Sequence, residues 1–113
     1  MRRTFLRIAA ASIFICAATL ALPFCLKADS DAAKVYKTNC ALCHSADGSG
    51  DAASGKALKA KDLRSPEVLG KSDAELAEGI AKGTGKMPAF GQKLSGDVIK
   101  SLVAYIRELP KKK

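Results

Sequence analysis

The chain has 113 residues, a formal net charge of +8, 27% charged residues and 5% aromatic residues. This length predicts a single domain. The low aromatic content and the lack of a basic stripe interleaved with aromatic residues argue against a nucleic-acid-binding protein.

The amino-terminal segment has the composition of a secretory signal peptide. Residues 1–7 carry three arginines and no acidic residue, and residues 8–26 are almost wholly apolar. A polar stretch follows, which predicts cleavage after Ala28 and export of the rest of the chain. The alternative is an uncleaved membrane anchor, because the apolar run is as long as a marginal transmembrane helix. We therefore expect a signal peptide over 1–28 and one domain over 29–113. That domain has 15 basic and 11 acidic residues, a net charge of +4.

The first element of the domain is a predicted helix that leads into a cysteine motif. Residues 32–43 contain no proline or glycine, and Ser30 can cap the amino terminus of this helix. Residues 40–44 then read Cys-Ala-Leu-Cys-His, the pattern of c-type haem attachment. Residues three apart on a helical turn lie on one side, so Cys40 and Cys43 can reach two vinyl groups on one porphyrin edge.

His44 follows the second thiol directly and can bind haem iron from the proximal side. Other interpretations of the motif have less support. A structural zinc site needs four ligands, and the other cysteines, Cys16 and Cys25, lie in the leading apolar stretch. A thioredoxin-like pair would accompany a βαβ pattern, which is missing here. A chance match with His44 as an ordinary surface side chain is the remaining alternative.

Glycine-rich loops and a second well-defined helix follow. Residues 46–55 are predicted to form a loop, and residues 56–61 a short helical turn with Ala57 and Leu58 facing inward. Residues 72–75 form a capping box that begins a helix with Leu76 and Ile80 on its inner face and Gly83 as its stop. Gly79 inside that helix costs about 1 kcal/mol relative to alanine, which indicates either close packing or an unexplained weak point.

Met87 stands in a loop and is followed by Pro88, which holds it extended. Its thioether is a candidate ligand for the iron opposite His44, and the alternative is a methionine that fills a gap in the core. The last helix is predicted to begin after Ser95 and to carry a broad apolar stripe that ends before Pro110. No window alternates with a period of two, so we expect an all-α protein.

With these pieces in order, the chain resembles the small single-haem bacterial type of the class I c-type cytochrome family. The resemblance covers about residues 31–109. It rests on the Cys-Ala-Leu-Cys-His motif at 40–44, on Lys-Met-Pro-Ala-Phe at 86–90 and on Val-Ala-Tyr-Ile-Arg at 103–107. It implies three to four helices wrapped around one covalently bound haem c, with Cys40, Cys43, His44 and Met87 as the haem-binding residues and His44 and Met87 on the iron.

The resemblance also implies that the first and last helices cross, with Ala32 and Tyr36 meeting Leu102 and Tyr105. In this family a proline often precedes the position of Leu58, and the carbonyl region there orients the haem histidine. This chain has lysine and alanine instead, which leaves open which carbonyl accepts the second N–H of His44.

The implied function is one-electron transfer in the periplasm by a monomer, not catalysis. The alternatives are a membrane-tethered haem module of a respiratory complex on the periplasmic face of the inner membrane, and a haem-based sensor or enzyme if Met87 does not bind iron. The expected partners are redox proteins. Five lysines could steer an acidic partner to the haem edge or simply keep the surface soluble. They are Lys56, Lys59, Lys82, Lys86 and Lys93.

Overall fold

The computed structural model describes residues 25–111, and the side chains from residue 31 onward. This part of the chain forms helices, joined by loops, and has no strand beyond an isolated bridge between Thr84 and Met87. The prediction of an all-α fold is therefore confirmed. The helices are α1 (Cys25–Asn39), α2 (Ala41–His44), α3 (Ala53–Leu58), α4 (Pro66–Leu69), α5 (Asp73–Lys82) and α6 (Gly96–Glu108).

The core lies where α1 packs against α6. Ala32 and Tyr36 are 2% and 1% exposed, and Leu102 on the facing helix is 0% exposed. The rings of Tyr36 and Tyr105 lie with centroids 5.1 Å apart and planes tilted by 47°, an arrangement that aromatic pairs favour. The contact between the first and last helices thus uses the predicted residues.

The first helix differs from the prediction at both ends. It begins at Cys25, so Ser30 lies inside the helix and is not its N-cap. No glycine or proline separates residues 25–30 from the rest, so no local signal stops the helix there. At its other end the helix stops at Asn39, because Cys40 has a φ of −111° and starts a separate short helix with the haem motif.

The segment after the motif also differs from the prediction. The short helix α3 occupies residues 53–58 instead of 56–61, and the left-handed Lys59 at φ 56° ends it. Because the helix begins earlier along the chain, Gly55 faces inward, whereas Ala57 and Leu58 are exposed. The inward placement of Ala57 and Leu58 was therefore wrong.

The helix α4 was not predicted. Ser65 caps it by accepting a hydrogen bond from Val68 N–H at 3.3 Å, and Pro66 occupies its first position. Proline is favoured at that position because its missing N–H would have no partner there anyway. Among residues 25–111, no helix combines the length and the apolar character that crossing a membrane requires.

The last two long helices follow the sequence signals. Ser72 and Glu75 form the predicted capping box at the start of α5, and Gly83 ends the helix at φ 73°. Ser95 caps α6 by accepting a hydrogen bond from Val98 N–H at 3.3 Å. The apolar stripe of α6 is buried, as predicted. Its buried residues are Ile99, Leu102, Val103 and Ile106.

Candidate functional site

A cavity of about 360 Å³ lies between the helices, and Cys40, His44 and Met87 line it together. This volume falls within the range of about 300–1,000 Å³ that small-molecule and cofactor sites occupy. Its walls come from α1, α2, α4, α5, α6 and the connecting segments. The other lining residues are Tyr36, Lys61, Leu63, Glu67, Val68, Lys71, Glu75, Leu76, Gly79, Ile80, Thr84, Leu102 and Ile106.

The imidazole of His44 is oriented by a backbone carbonyl. Its Nδ1 lies 3.0 Å from the carbonyl oxygen of Lys61, 17 residues along the chain. Because a carbonyl only accepts hydrogen bonds, Nδ1 is the nitrogen that carries the proton in the neutral imidazole, and Nε2 then has the free lone pair. This tautomer is the one that can bind a metal through Nε2, with the second N–H held as metal-binding histidines usually hold it.

The two thiols differ in their relation to the cavity. Both cysteines are half-buried, but Cys40 lines the cavity, whereas Cys43, on α2, is not among the lining residues. Burial, with a smaller contribution from the neighbouring Cys43, raises the pKa of the Cys40 thiol to about 11. Without an attached group, Cys40 is therefore a neutral thiol at neutral pH.

The loop that carries Met87 is held against the end of α5. The N–H of Met87 donates to Thr84 O at 2.9 Å, and the N–H of Phe90 donates to Ile80 O at 3.0 Å. A β-carbon on Gly83 would lie 2.5 Å from the carbonyl oxygen of Met87, so only glycine fits this turn. The turn leaves Met87 partly buried and its side chain in the cavity lining.

Charges of both signs line one part of the cavity. Lys61 Nζ pairs with Glu67 Oε1 at 2.6 Å, and Lys71 and Glu75 line the cavity beside them. The hydrogen bond from Lys61 and its positive charge hold the pKa of Glu67 below its usual range. The lysines that line the cavity are thus different from the five that the sequence suggested as a docking ring.

Sequence reasoning missed the carbonyl of Lys61 and the contribution of α4 through Val68. Every residue has a backbone carbonyl, so residue type gave no signal for Lys61. The signal for α4 was present, because a serine directly before a proline is a typical helix start.

Comparison with known proteins gives consistent matches. Residues 27–106 match the family described as cytochrome c oxidase, cbb3-type, subunit III. Cytochrome c6 of Microcystis aeruginosa is 36% identical over 77 residues, which cover 67% of this chain and 90% of that protein. The cbb3-type oxidase subunit CcoP of Azospirillum brasilense is 38% identical over 77 residues, 66% of this chain and 26% of that subunit. The solved KustC0563 c-type cytochrome matches with a TM-score of 0.63 and 32% identity, covering 72% of this chain and 98% of that one.

The chain therefore belongs to the c-type cytochrome family. Its cofactor is one covalently bound haem c, and its general role is in electron transport. The described residues fit this cofactor. The cavity is largely apolar, a thiol lines it, and it contains a histidine with the metal-binding tautomer and a methionine thioether.

Proposed function

We propose that this protein is a periplasmic single-haem cytochrome that carries one electron at a time between redox partners and catalyses no reaction of its own. In this proposal Cys40 and Cys43 form the two thioether bonds to the haem. His44 and Met87 are the axial ligands of the iron. The observation that carries the proposal is the common cavity of Cys40, His44 and Met87.

When bound, haem c supplies an iron that cycles between the ferrous and ferric states. The protein's contribution is to keep the ligands and surroundings the same in both states. His44 is fixed by its 3.0 Å hydrogen bond to Lys61 O, so its ring does not need to reorient on electron transfer. Methionine is a soft ligand that raises the reduction potential, and the apolar residues of the cavity exclude water.

Spectra of the purified exported holoprotein test the axial ligands. The ferric protein is expected to have the weak charge-transfer band of sulfur–iron bonding, and Met87→Ala is expected to lose it and to bind carbon monoxide when reduced. Met1 is the other methionine of the chain, so the assignment of the band has little ambiguity. A wild-type protein that lacks the band, or that binds carbon monoxide rapidly, would favour a sensor or enzyme instead.

The attachment through both thiols has a separate test. Haem is expected to stay with the polypeptide after acid-acetone extraction of the wild type. In Cys40→Ala and Cys43→Ala one thioether remains, and the α-band of the reduced pyridine haemochrome should move toward longer wavelength. An unshifted band in either variant would mean that the replaced cysteine forms no thioether bond to the haem.

A membrane-tethered haem module is the second candidate function. It is supported by the match to the family of cbb3-type oxidase subunit III and by the similarity to CcoP. The matched region covers 26% of the length of that CcoP subunit. Whether the protein is tethered or released depends on residues 1–28. Of these, residues 1–24 lie outside the described part of the chain. Mass spectrometry of the protein from its native host is expected to find a chain that begins near Asp29. An intact Met1 in the membrane fraction would establish the tethered form.

Docking of a partner by positive charge remains part of the proposal. Lys56, Lys59 and Lys86 are exposed, and Lys86 directly precedes the proposed ligand Met87. With an acidic partner, the bimolecular rate of electron transfer should fall as salt rises, and Lys86→Glu should reduce both the rate and its salt dependence. A rate that is indifferent to salt would leave the lysines as a solvated surface.

A further inference from the structure

Arg107, in the last turn of α6, makes three directional contacts with one short segment of the chain. Its Nε donates to Asp73 Oδ1 at 2.6 Å, and its Nη1 donates to Leu69 O at 3.1 Å. Its Nη2 donates to Lys71 O at 2.7 Å. The three acceptors belong to alternate residues of segment 69–73, which joins α4 to α5.

The chemistry of the contact requires a guanidinium group. Arginine presents five N–H donors in one rigid plane, whereas lysine has a single ammonium on a flexible stem. A lysine at position 107 could keep the charge near Asp73 but could not bond all three acceptors at once. The arginine side chain is 30% exposed and the Asp73 side chain 76% exposed, so water screens the ion pair, whereas the bond to Leu69 O is partly buried.

Segment 69–73 forms part of the cavity wall. Lys71 lines the cavity from within it, and Val68 and Glu75 line the cavity from either side of it. Its other hydrogen bonds are local, such as Lys71 N–H to Val68 O at 3.1 Å and the capping box of Ser72 and Glu75. Among the hydrogen bonds of the described residues, those of Arg107 are therefore the ones that connect this segment to a distant helix.

The helix that carries Arg107 also contributes to the cavity. Leu102 and Ile106 of α6 line it, and Ile106 directly precedes the arginine. The same helix packs against α1, the helix that leads into the haem motif. A bond between α6 and segment 69–73 therefore fixes the distance between two walls of one cavity.

We propose that Arg107 is a positioning residue for the haem site, one that keeps the wall formed by segment 69–73 closed against α6. This inference rests on the proposed function, because it takes the cavity as the haem site. Loss of the contact lets the segment move outward and lets water approach the cofactor. Water stabilises the more highly charged ferric state, so the reduction potential falls.

The test compares holoprotein variants by amide deuterium exchange, reduction potential and the rate of cyanide binding to the ferric form. Arg107→Met keeps an apolar stem without donors, and Arg107→Lys keeps the charge without the planar group. In both, amides 69–73 should exchange faster and the potential should fall. Cyanide should bind at least about tenfold faster to the Met variant, because this variant loses all three hydrogen bonds and the loss of one bond to a charged group is by itself about a tenfold effect. Lys100→Met removes an exposed charge from the same helix, 3.9 Å from Asp97, and should change none of these values.

Several outcomes would overturn the inference. Full rescue by Arg107→Lys would show that charge alone suffices. A second outcome is that the variants unfold at a lower temperature while the reduction potential stays unchanged and amide exchange rises evenly along the whole chain. That result would show that Arg107 makes an ordinary stabilising contact. If the Met variant does not fold, the Lys variant and Asp73→Ala, which removes the side-chain acceptor of one of the three contacts, decide the question by the same measurements. A wild-type protein that binds cyanide at once and lacks the sulfur–iron band would instead contradict the proposed axial ligation.

Discussion

Gly55 lies so close to the haem motif that a β-carbon built on it would stand 2.0 Å from the carbonyl oxygen of Cys43. The same β-carbon would lie 2.6 Å from Gly50 O. Both neighbours are backbone atoms, which cannot swing aside as the end of a side chain can. Because of this close approach, α3 packs directly against α2. It thereby supports the Cys-x-x-Cys-His turn on the side away from the cavity.

Replacement of Gly55 by alanine should therefore disturb the haem motif. We expect Gly55→Ala to destabilise the holoprotein by about 2 kcal/mol or more, because overpacking of backbone against backbone forces the helices apart. Denaturant unfolding followed by the haem absorption measures this. Gly96→Ala is the matched control, since a β-carbon there meets nothing within 4 Å. Equal stability of the two variants would contradict the role given to Gly55.

A second glycine should respond to substitution in a different way. Gly79 lines the cavity, and a β-carbon on it would meet no protein atom within 4 Å. Alanine in the interior of a helix should add about 1 kcal/mol of stability. We expect this gain to be absent from the Gly79→Ala holoprotein and its haem absorption bands to shift, because the methyl group enters the volume that the cofactor takes. A full gain with an unchanged spectrum would mean that the cofactor does not reach this helix.

The hydroxyl of Tyr36 links the core to the residue after His44. It donates to Ser45 O at 2.8 Å, and burial raises the pKa of the Tyr36 phenol above its ordinary value. Tyr36→Phe should cost about 1 kcal/mol, since the carbonyl loses its partner while the ring packing stays. Because the raised pKa keeps the phenol neutral, this cost should be constant between pH 7 and 10. A cost that disappears above neutrality would contradict the burial argument.

The capping box predicts a pH dependence of stability. Ser72 N–H and Ser72 Oγ donate to Glu75 Oε2 at 2.7 and 2.8 Å, and these bonds, the backbone one first, lower the pKa of Glu75. A lowered pKa in the folded state adds stability above the unfolded value of about 4.5, and this stability is lost as the pH falls through the folded value. Glu75→Gln should therefore be less stable than the wild type at pH 7 and equal to it in acid. Thermal unfolding at pH 7 and pH 3 compares them, and a constant difference would refute the capping assignment.

How much of the fold and of the site could be predicted depends on how far apart in the sequence the interacting residues lie. The Cys-x-x-Cys-His motif and the Ser72–Glu75 capping box are complete within five residues, so local chemistry identifies them. The pairing of Tyr36 with Tyr105 came from the resemblance to a family. The start of α1 was misplaced at Ser30 because a serine that can cap a helix can also lie inside one.

The contacts that the sequence did not predict join distant parts of the chain. Arg107 and Asp73 are 34 residues apart, and nothing in either neighbourhood indicates the other. His44 and Lys61 are 17 residues apart, and the acceptor is a carbonyl that any residue would provide. Such contacts depend on how the helices pack, which local patterns do not encode.

The hydrogen bond between His44 and Lys61 has an evolutionary consequence. Because the acceptor belongs to the backbone, the side chain at position 61 can be exchanged without removing the hydrogen bond that orients the His44 ring. The charge beside the cavity can then change in the course of evolution, while the orientation of the imidazole is inherited unchanged.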